Sequence, residues 1–218
     1  MKIDIICSSD DHPVNPWLKQ WMRKHETRHR LGLLRKKTEL TSGDILFLIS
    51  CTELISSEQR KLYRHCIVLH ASDLPAGRGW SPHIWSILEG ASTITVSAID
   101  AEDRVDSGAI WAQRAFDVAP HQLHDEIDAA LFDAEIALLD QVVGMVERGE
   151  TPVPQPDTEA SYYPRRTPAD SEVDPGKSIS EQFDKIRVCD PNRYPAFFRL
   201  HGHVYSISLK KVQSDDKH

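Results

Sequence analysis

The sequence predicts an α/β protein: a Rossmann-like core with a mostly parallel, partly mixed sheet, followed by a short C-terminal extension with a helix and a β-hairpin. Three observations carry this. Strand-length apolar runs alternate with helical patterns through the first 150 residues, the order that builds a sheet covered by helices. A long helical repeat, Leu123, Ile127, Leu131, Ala134, Leu138, Val142 and Val146, closes that section between His121 and Glu147. After Gly149 the composition turns to TPVPQPDTEASYYPRRTPADSEVDPG, a proline-rich connector expected to lie extended over the core. The expected division is a core at 1–150 and an extension at 151–218.

In chain order, residues 2–8 (KIDIICS) read as a buried first strand, and Asn15-Pro16 as an N-cap with proline opening the helix WLKQWMRKH. Residues 31–35 suit a short second strand, and 44–50 (DILFLIS) a strand covered on both faces. Ser56-Ser57-Glu58-Gln59 carries a capping box, and HCIVLH (65–70) is the next buried strand. The loop SDLPAGRGWSP leads to a short helix capped by Ser81, with Pro82 at its start and Gly90 after its end. Residues 93–99 and 109–116 are two further strands around the acidic loop DAEDRVDSG, the source of the expected antiparallel character. A small helix at 180–188 precedes a hairpin about His201-Gly202, which either joins two copies as a homodimer or covers a sheet edge.

Composition excludes several classes. Hydrophobic residues at 40% and charged ones at 27% mark an ordinary globular chain, without a run of apolar residues long enough for a membrane span. The N-terminus turns acidic at once and does not read as a secretory signal. The four cysteines lie far apart with no CxxC pair, arguing against a zinc site or a disulfide framework; a reduced cytoplasm is the simplest setting, and no metal is expected. His201-Gly202-His203, with no Cys or acid beside it, reads as surface. A net charge of −7 disfavours a general nucleic-acid binder, since little counterion release is available to it. Lys19 to Lys37 nevertheless holds eight basic residues against Glu26 alone, a stretch that either steers a phosphorylated ligand or forms a solvated helix face.

In open α/β sheets ligands bind beyond the carboxyl ends of strands. His70 ends one strand before a Gly/Pro loop, and Asp106 sits in a later turn with Gly108 behind it. A histidine and a carboxylate brought to one edge form a general acid/base pair, although a histidine at a strand end also serves structure alone.

The segment His70-Ala71-Ser72-Asp73-Leu74-Pro75-Ala76-Gly77-Arg78-Gly79-Trp80-Ser81-Pro82, with Val105-Asp106-Ser107-Gly108-Ala109-Ile110 following, resembles the formyltransferase family, whose pattern is Asn-x-His, a Leu-Pro and Arg-Gly loop, then Asp-x-Gly. The resemblance covers roughly residues 40–147. The tail, Tyr162-Tyr163-Pro164-Arg165-Arg166 and onward, is similar to that of short bacterial enzymes that formylate a UDP-linked 4-amino-4,6-dideoxy sugar, in the branch associated with pseudaminic-acid-type precursors and cell-surface glycans. The chain is too short for the larger C-terminal domain of the methionyl-tRNA enzymes. The resemblance implies 10-formyltetrahydrofolate as co-substrate and a nucleotide-linked amino sugar as acceptor, with His70 and Asp106 catalytic. It sets the folate against Ser50, Cys51, Thr52, Leu54, Asp103 and Arg104, and the acceptor against His12, Ser72, Arg78, Gly79, Trp80, Tyr163, Arg165 and Arg166. One position departs: Val68 stands where the family has its catalytic Asn, and Asn15 and Asn192 are the chain's two asparagines. Asn15, His12 or a backbone N–H is the expected substitute; Asn15 otherwise caps its helix. Formyl transfer to another amine, and a non-catalytic binding protein on the same fold, are the competing readings.

Overall fold

The computed structural model describes residues 1–212. Six strands form the central sheet: β1 (Lys2–Ile6), β2 (Arg30–Leu34), β3 (Gly43–Leu48), β4 (Tyr63–His70), β6 (Thr93–Asp100) and β7 (Ile110–Asp117), in the order β2-β1-β3-β4-β6-β7. The first four are mutually parallel. β6 joins β4 antiparallel, and β7 joins β6 antiparallel, which gives the mixed sheet expected from the sequence.

The twofold periodicity of the strands divides the core. Ile3, Ile5, Ile45, Phe47, Ile67 and Leu69 face α1 (Asn15–His25) and α4 (His124–Glu147), meeting Leu18, Trp21, Leu131, Leu138 and Val142. On the opposite face Ile6, Leu46, Leu48 and Cys66 pack with Ile55 and Tyr63 beside α2 (Ser57–Arg60), and Val68 lies against this second cluster. α3 (Pro82–Leu88) and the start of α4 enclose a third cluster around Ile87, Ile94 and Ile127, which Val188 completes from just beyond α5 (Ile179–Arg187).

Beyond α4 the chain crosses the site as an extended strap. Val153 bridges to Ile110, and a two-residue strand β8 (Tyr162–Tyr163) pairs in parallel with β5 (Arg78–Gly79) in the loop after His70. The hairpin β9 (Ala196–Leu200) and β10 (His203–Ile207) turns at His201-Gly202 and exposes Val204 and Tyr205.

Two capping expectations need correction. The Ser56 capping box forms, but Asn15 does not cap α1: Val14 occupies that position, and the Asn15 side chain turns back into the preceding loop. Ser81 holds the cap position of α3 without a side-chain bond, because its left-handed backbone (φ 47°) points the hydroxyl elsewhere.

Candidate active site

β1 leads to β2 on one side and β3 enters on the other, so the loops leaving β1 and β3 diverge at a topological switch point. Local bonds tie these loops together. Ser8 N–H donates to the Ser50 carbonyl at 3.4 Å, and Thr52 N–H to Ser8 Oγ at 3.0 Å. Ser50 takes a left-handed turn (φ 49°), the Cys51 thiol donates to the Glu53 carbonyl, and Leu54 is 75% exposed, an apolar surface open to a planar ligand. Burial pushes the Cys51 thiol up, so it acts there as a small apolar group rather than a thiolate.

His70 ends β4 on the face shared with Val68 and Cys66. The antiparallel β6 carries its own carboxyl end away from His70, down to Ile67, so the intervening loop must double back over β4 to deliver Asp106. It does so through a tight turn. Asp106 adopts φ 56°, which a short polar residue tolerates, and a Cβ on Gly108 would stand 1.9 Å from the Asp100 carbonyl. The result is a buried pair: His70 Nδ1 lies 3.6 Å from Asp106 Oδ1, His70 Nε2 lies 2.9 Å from the Gly77 carbonyl, and Gly79 N–H donates to Asp106 Oδ2 at 2.9 Å. The Gly77 carbonyl and the Asp106 carboxylate can both only accept, so Nε2 donates to Gly77 and Nδ1 offers its hydrogen to the carboxylate when the ring carries both. This arrangement can accept and relay a proton from a reacting group.

The strap closes over this pair. Arg78 donates through Nη1 to the Tyr162 hydroxyl (3.1 Å), and its N–H reaches the Ser161 carbonyl. Arg104 donates to the same Tyr162 hydroxyl, and these two arginines lower that phenol's pKa. Tyr163 stacks against Trp85 and donates to Glu89, so it anchors the strap to α3 rather than standing free as a platform. Arg165 lies over the ring of Trp80, 4.9 Å from its centre, and Arg166 reaches Ser171 Oγ. An open cleft of about 690 Å³ runs between the Asp106 loop and the strap, lined by Arg78, Asp103, Arg104 and Gln155 among others. Ser72, two residues after His70, is buried, its carbonyl accepting from Ser97 Oγ.

The residues expected to hold the folate thus fall in two groups: Ser50 to Leu54 on the β3 loop, and Asp103 with Arg104 beside the cleft. Arg60, which the sequence reading did not single out, joins them. It donates to the Ile55 carbonyl at 2.8 Å and pairs with Asp103 at 2.6 Å. Two further side chains were missed. Gln155 contacts the Asp106 turn directly. His83, on the first turn of α3, has Nδ1 sealed without a partner among the described residues; burial, then the neighbouring His70, Arg166 and His12, pushes its pKa to about 4. Neither carries a motif signal, since each acquires its role through contacts distant in sequence.

Asn15 does not match the donor role. Its amide Nδ2 already donates to the carbonyls of Ser9, Asp10 and His12, all at 2.9 Å, and its Oδ1 accepts from Arg35. An amide with two hydrogens shared among three acceptors has none left for an oxyanion. His12 differs: Nδ1 accepts from Val14 N–H, and burial, then the charge of Arg193, pushes its pKa to about 4, so a neutral ring carries its hydrogen on Nε2.

The fold and site together define a Rossmann-like α/β domain that carries a buried His–Asp pair beyond the carboxyl end of β4. The chain belongs to the formyl transferase family: that family's profile matches residues 10–143. A methionyl-tRNA formyltransferase of Synechococcus sp. strain JA-3-3Ab is 33% identical over 156 residues, covering 71% of this chain and 48% of its own length. The chain therefore spans about half the length of that curated relative. Among solved structures, HypX from Aquifex aeolicus in complex with tetrahydrofolic acid superposes with a TM-score of 0.78 at 19% identity, covering 94% of this chain and 36% of that one. A sugar N-formyltransferase from Shewanella sp. FDAARGOS_354 superposes with a TM-score of 0.73 at 16% identity, covering 98% and 99%. At such identities these two likenesses concern the fold.

Proposed function

We propose that the chain transfers a formyl group from 10-formyltetrahydrofolate to the 4-amino group of a nucleotide-linked, UDP-type 4-amino-4,6-dideoxy sugar. The observation that carries the transfer chemistry is the buried His70–Asp106 pair, fixed from both sides by Gly77 and Gly79. In this reading the neutral amine attacks the formyl carbon, the new C–N bond forms, and the bond from that carbon to the folate nitrogen breaks. Asp106 takes the amine's proton directly or through water, and His70 supplies one to the departing nitrogen. Val68 offers no donor to the developing oxyanion, so His12 Nε2 or a backbone N–H takes that role, worth about 3–4 kcal/mol where single donors have been removed. The acceptor assignment draws on the strap, which sets guanidinium groups and aromatic faces (Arg165 on Trp80, Arg78 and Arg104 on Tyr162) next to the catalytic loop, as a diphosphate and base require.

The curated relative favours a second reading, methionyl-tRNA as acceptor. Purified protein incubated with 10-formyltetrahydrofolate and each acceptor in turn separates the two by mass spectrometry, with His70→Ala as control. Formylated sugar that disappears in the variant supports the first reading. Product with the charged tRNA alone replaces it with the second. Binding of folate or UDP with no product from either removes both acceptors and leaves transfer to another amine or a non-catalytic protein on this fold.

A further inference from the structure

A side chain of the strap holds the backbone of the Asp106 turn from outside the core. Gln155, on the strap, donates through Nε2 to the carbonyls of both Asp106 and Gly108, each at 2.9 Å, and its Oε1 accepts from Arg78 Nη2 at 2.5 Å. The amide fits one way only, because the guanidinium offers donors alone and the two carbonyls acceptors alone. These bonds complete a ring. Gln155 grips the backbone of Asp106, the Asp106 carboxylate grips Gly79 N–H, and Arg78, the residue before Gly79, grips Gln155. Left to itself, a turn with a left-handed aspartate has other conformations available, and the carboxylate moves with its backbone.

We infer that Gln155 is a positioning residue for the Asp106 carboxylate, acting through the backbone of the turn and tying the geometry of the His–Asp pair to the strap. The inference rests on the catalytic role given to Asp106 above. It makes a chemical distinction. A residue that merely fastened the strap could be replaced by glutamate, which still accepts from Arg78 and adds charge to that bond. A positioning residue could not, since a carboxylate would face the carbonyls of Asp106 and Gly108 with no hydrogen to offer.

The test compares Gln155→Glu and Gln155→Met with wild type and Asp106→Asn. The first readout is the ring ¹⁵N resonances of His70 in protein without substrate, in variants whose far-UV circular dichroism matches wild type. Both Gln155 variants should move the Nδ1 resonance toward its position in Asp106→Asn. The second readout is steady-state formyl transfer, where kcat should fall about 10²-fold, the cost of a misplaced catalytic group, with KM for the folate little changed. A Gln155→Glu protein with the wild-type His70 spectrum and kcat would overturn the inference. Should that variant not fold, Gln155→Met, which fills the same space without polar atoms, decides by the same two signals. The spectrum needs no substrate, so an acceptor that is never formylated removes the proposed function while leaving the positioning result readable.

Discussion

His70 and Asp106 meet at 3.6 Å although the strands that carry them run in opposite directions, and the meeting depends on a loop that doubles back across β4. The carboxylate is held by Gly79 as well, so it is oriented before any ligand arrives. Asp106→Asn keeps the shape and one acceptor oxygen but removes the charge that takes up a proton. Turnover should fall by about 10²–10⁴-fold, the range of a general acid–base contribution, with little change in melting temperature. A loss below tenfold would remove Asp106 from the proton path.

Gly79 tests the junction of strap and loop. Its φ is +102°, and a Cβ there would stand 2.3 Å from the Tyr163 carbonyl. Gly79→Ala should part β5 from β8 and withdraw the N–H from Asp106, lowering kcat at least tenfold by the misplacement argument. Hydrogen exchange at Trp80 N–H, which donates to the Tyr163 carbonyl, should accelerate in the same variant.

Asn15 is expected to matter for folding and not for turnover. Asn15→Ala strands three loop carbonyls and removes an acceptor from Arg35, costing about 2 kcal/mol. Urea unfolding should register that loss, while kcat per folded molecule stays within about twofold of wild type, well under the effect of a lost oxyanion donor.

Glu135 predicts the pH dependence of stability. Buried on α4 with Oε2 unpartnered among the described residues, its carboxyl is pushed up to about 8 by burial and then by the neighbouring Asp128. Its folded pKa lies above the unfolded value, so the protonated group's full stability is present below about pH 4.5 and is lost as pH rises through about 8. Glu135→Gln should flatten that decline, gaining about 2–4 kcal/mol relative to wild type at pH 8.5 and almost nothing at pH 4. Parallel pH profiles of unfolding free energy for the two proteins would rule this out.

Much of this was legible in the sequence because local periodicity and burial agreed. The helical repeat from Leu123 to Val146 is the core face of α4, and the runs at 44–50 and 65–70 became β3 and β4 almost unshifted. His70 and Asp106 could be paired from the order of two motifs. The strap could not be read the same way. β5 and β8 are two residues each and lie 84 positions apart, so their pairing has no local signature, and Gln155 in PVPQPD resembles any polar residue of a proline-rich linker. Asn15 misled for the opposite reason. Asn-Pro is a strong local cap signal, but the loop after β1 offered its amide three carbonyls and a guanidinium, and those contacts won.

The pairing of Arg78 with Tyr162 and Gly79 with Tyr163 also sets how small a working fragment can be. The family profile ends at residue 143 and the long helix at Glu147, yet a polypeptide cut there would lose Gln155, which holds the Asp106 turn, and the Ser161–Tyr163 segment, which seats the loop after His70. A protease clip within 148–152 leaves those contacts able to persist across the break, as in a two-piece enzyme reassembled from its parts. Removal of the second piece takes away a wall of the cleft. The strap and the two loops it braces therefore form one unit, and exchanging that stretch between relatives would replace the bracing of the Asp106 turn along with it.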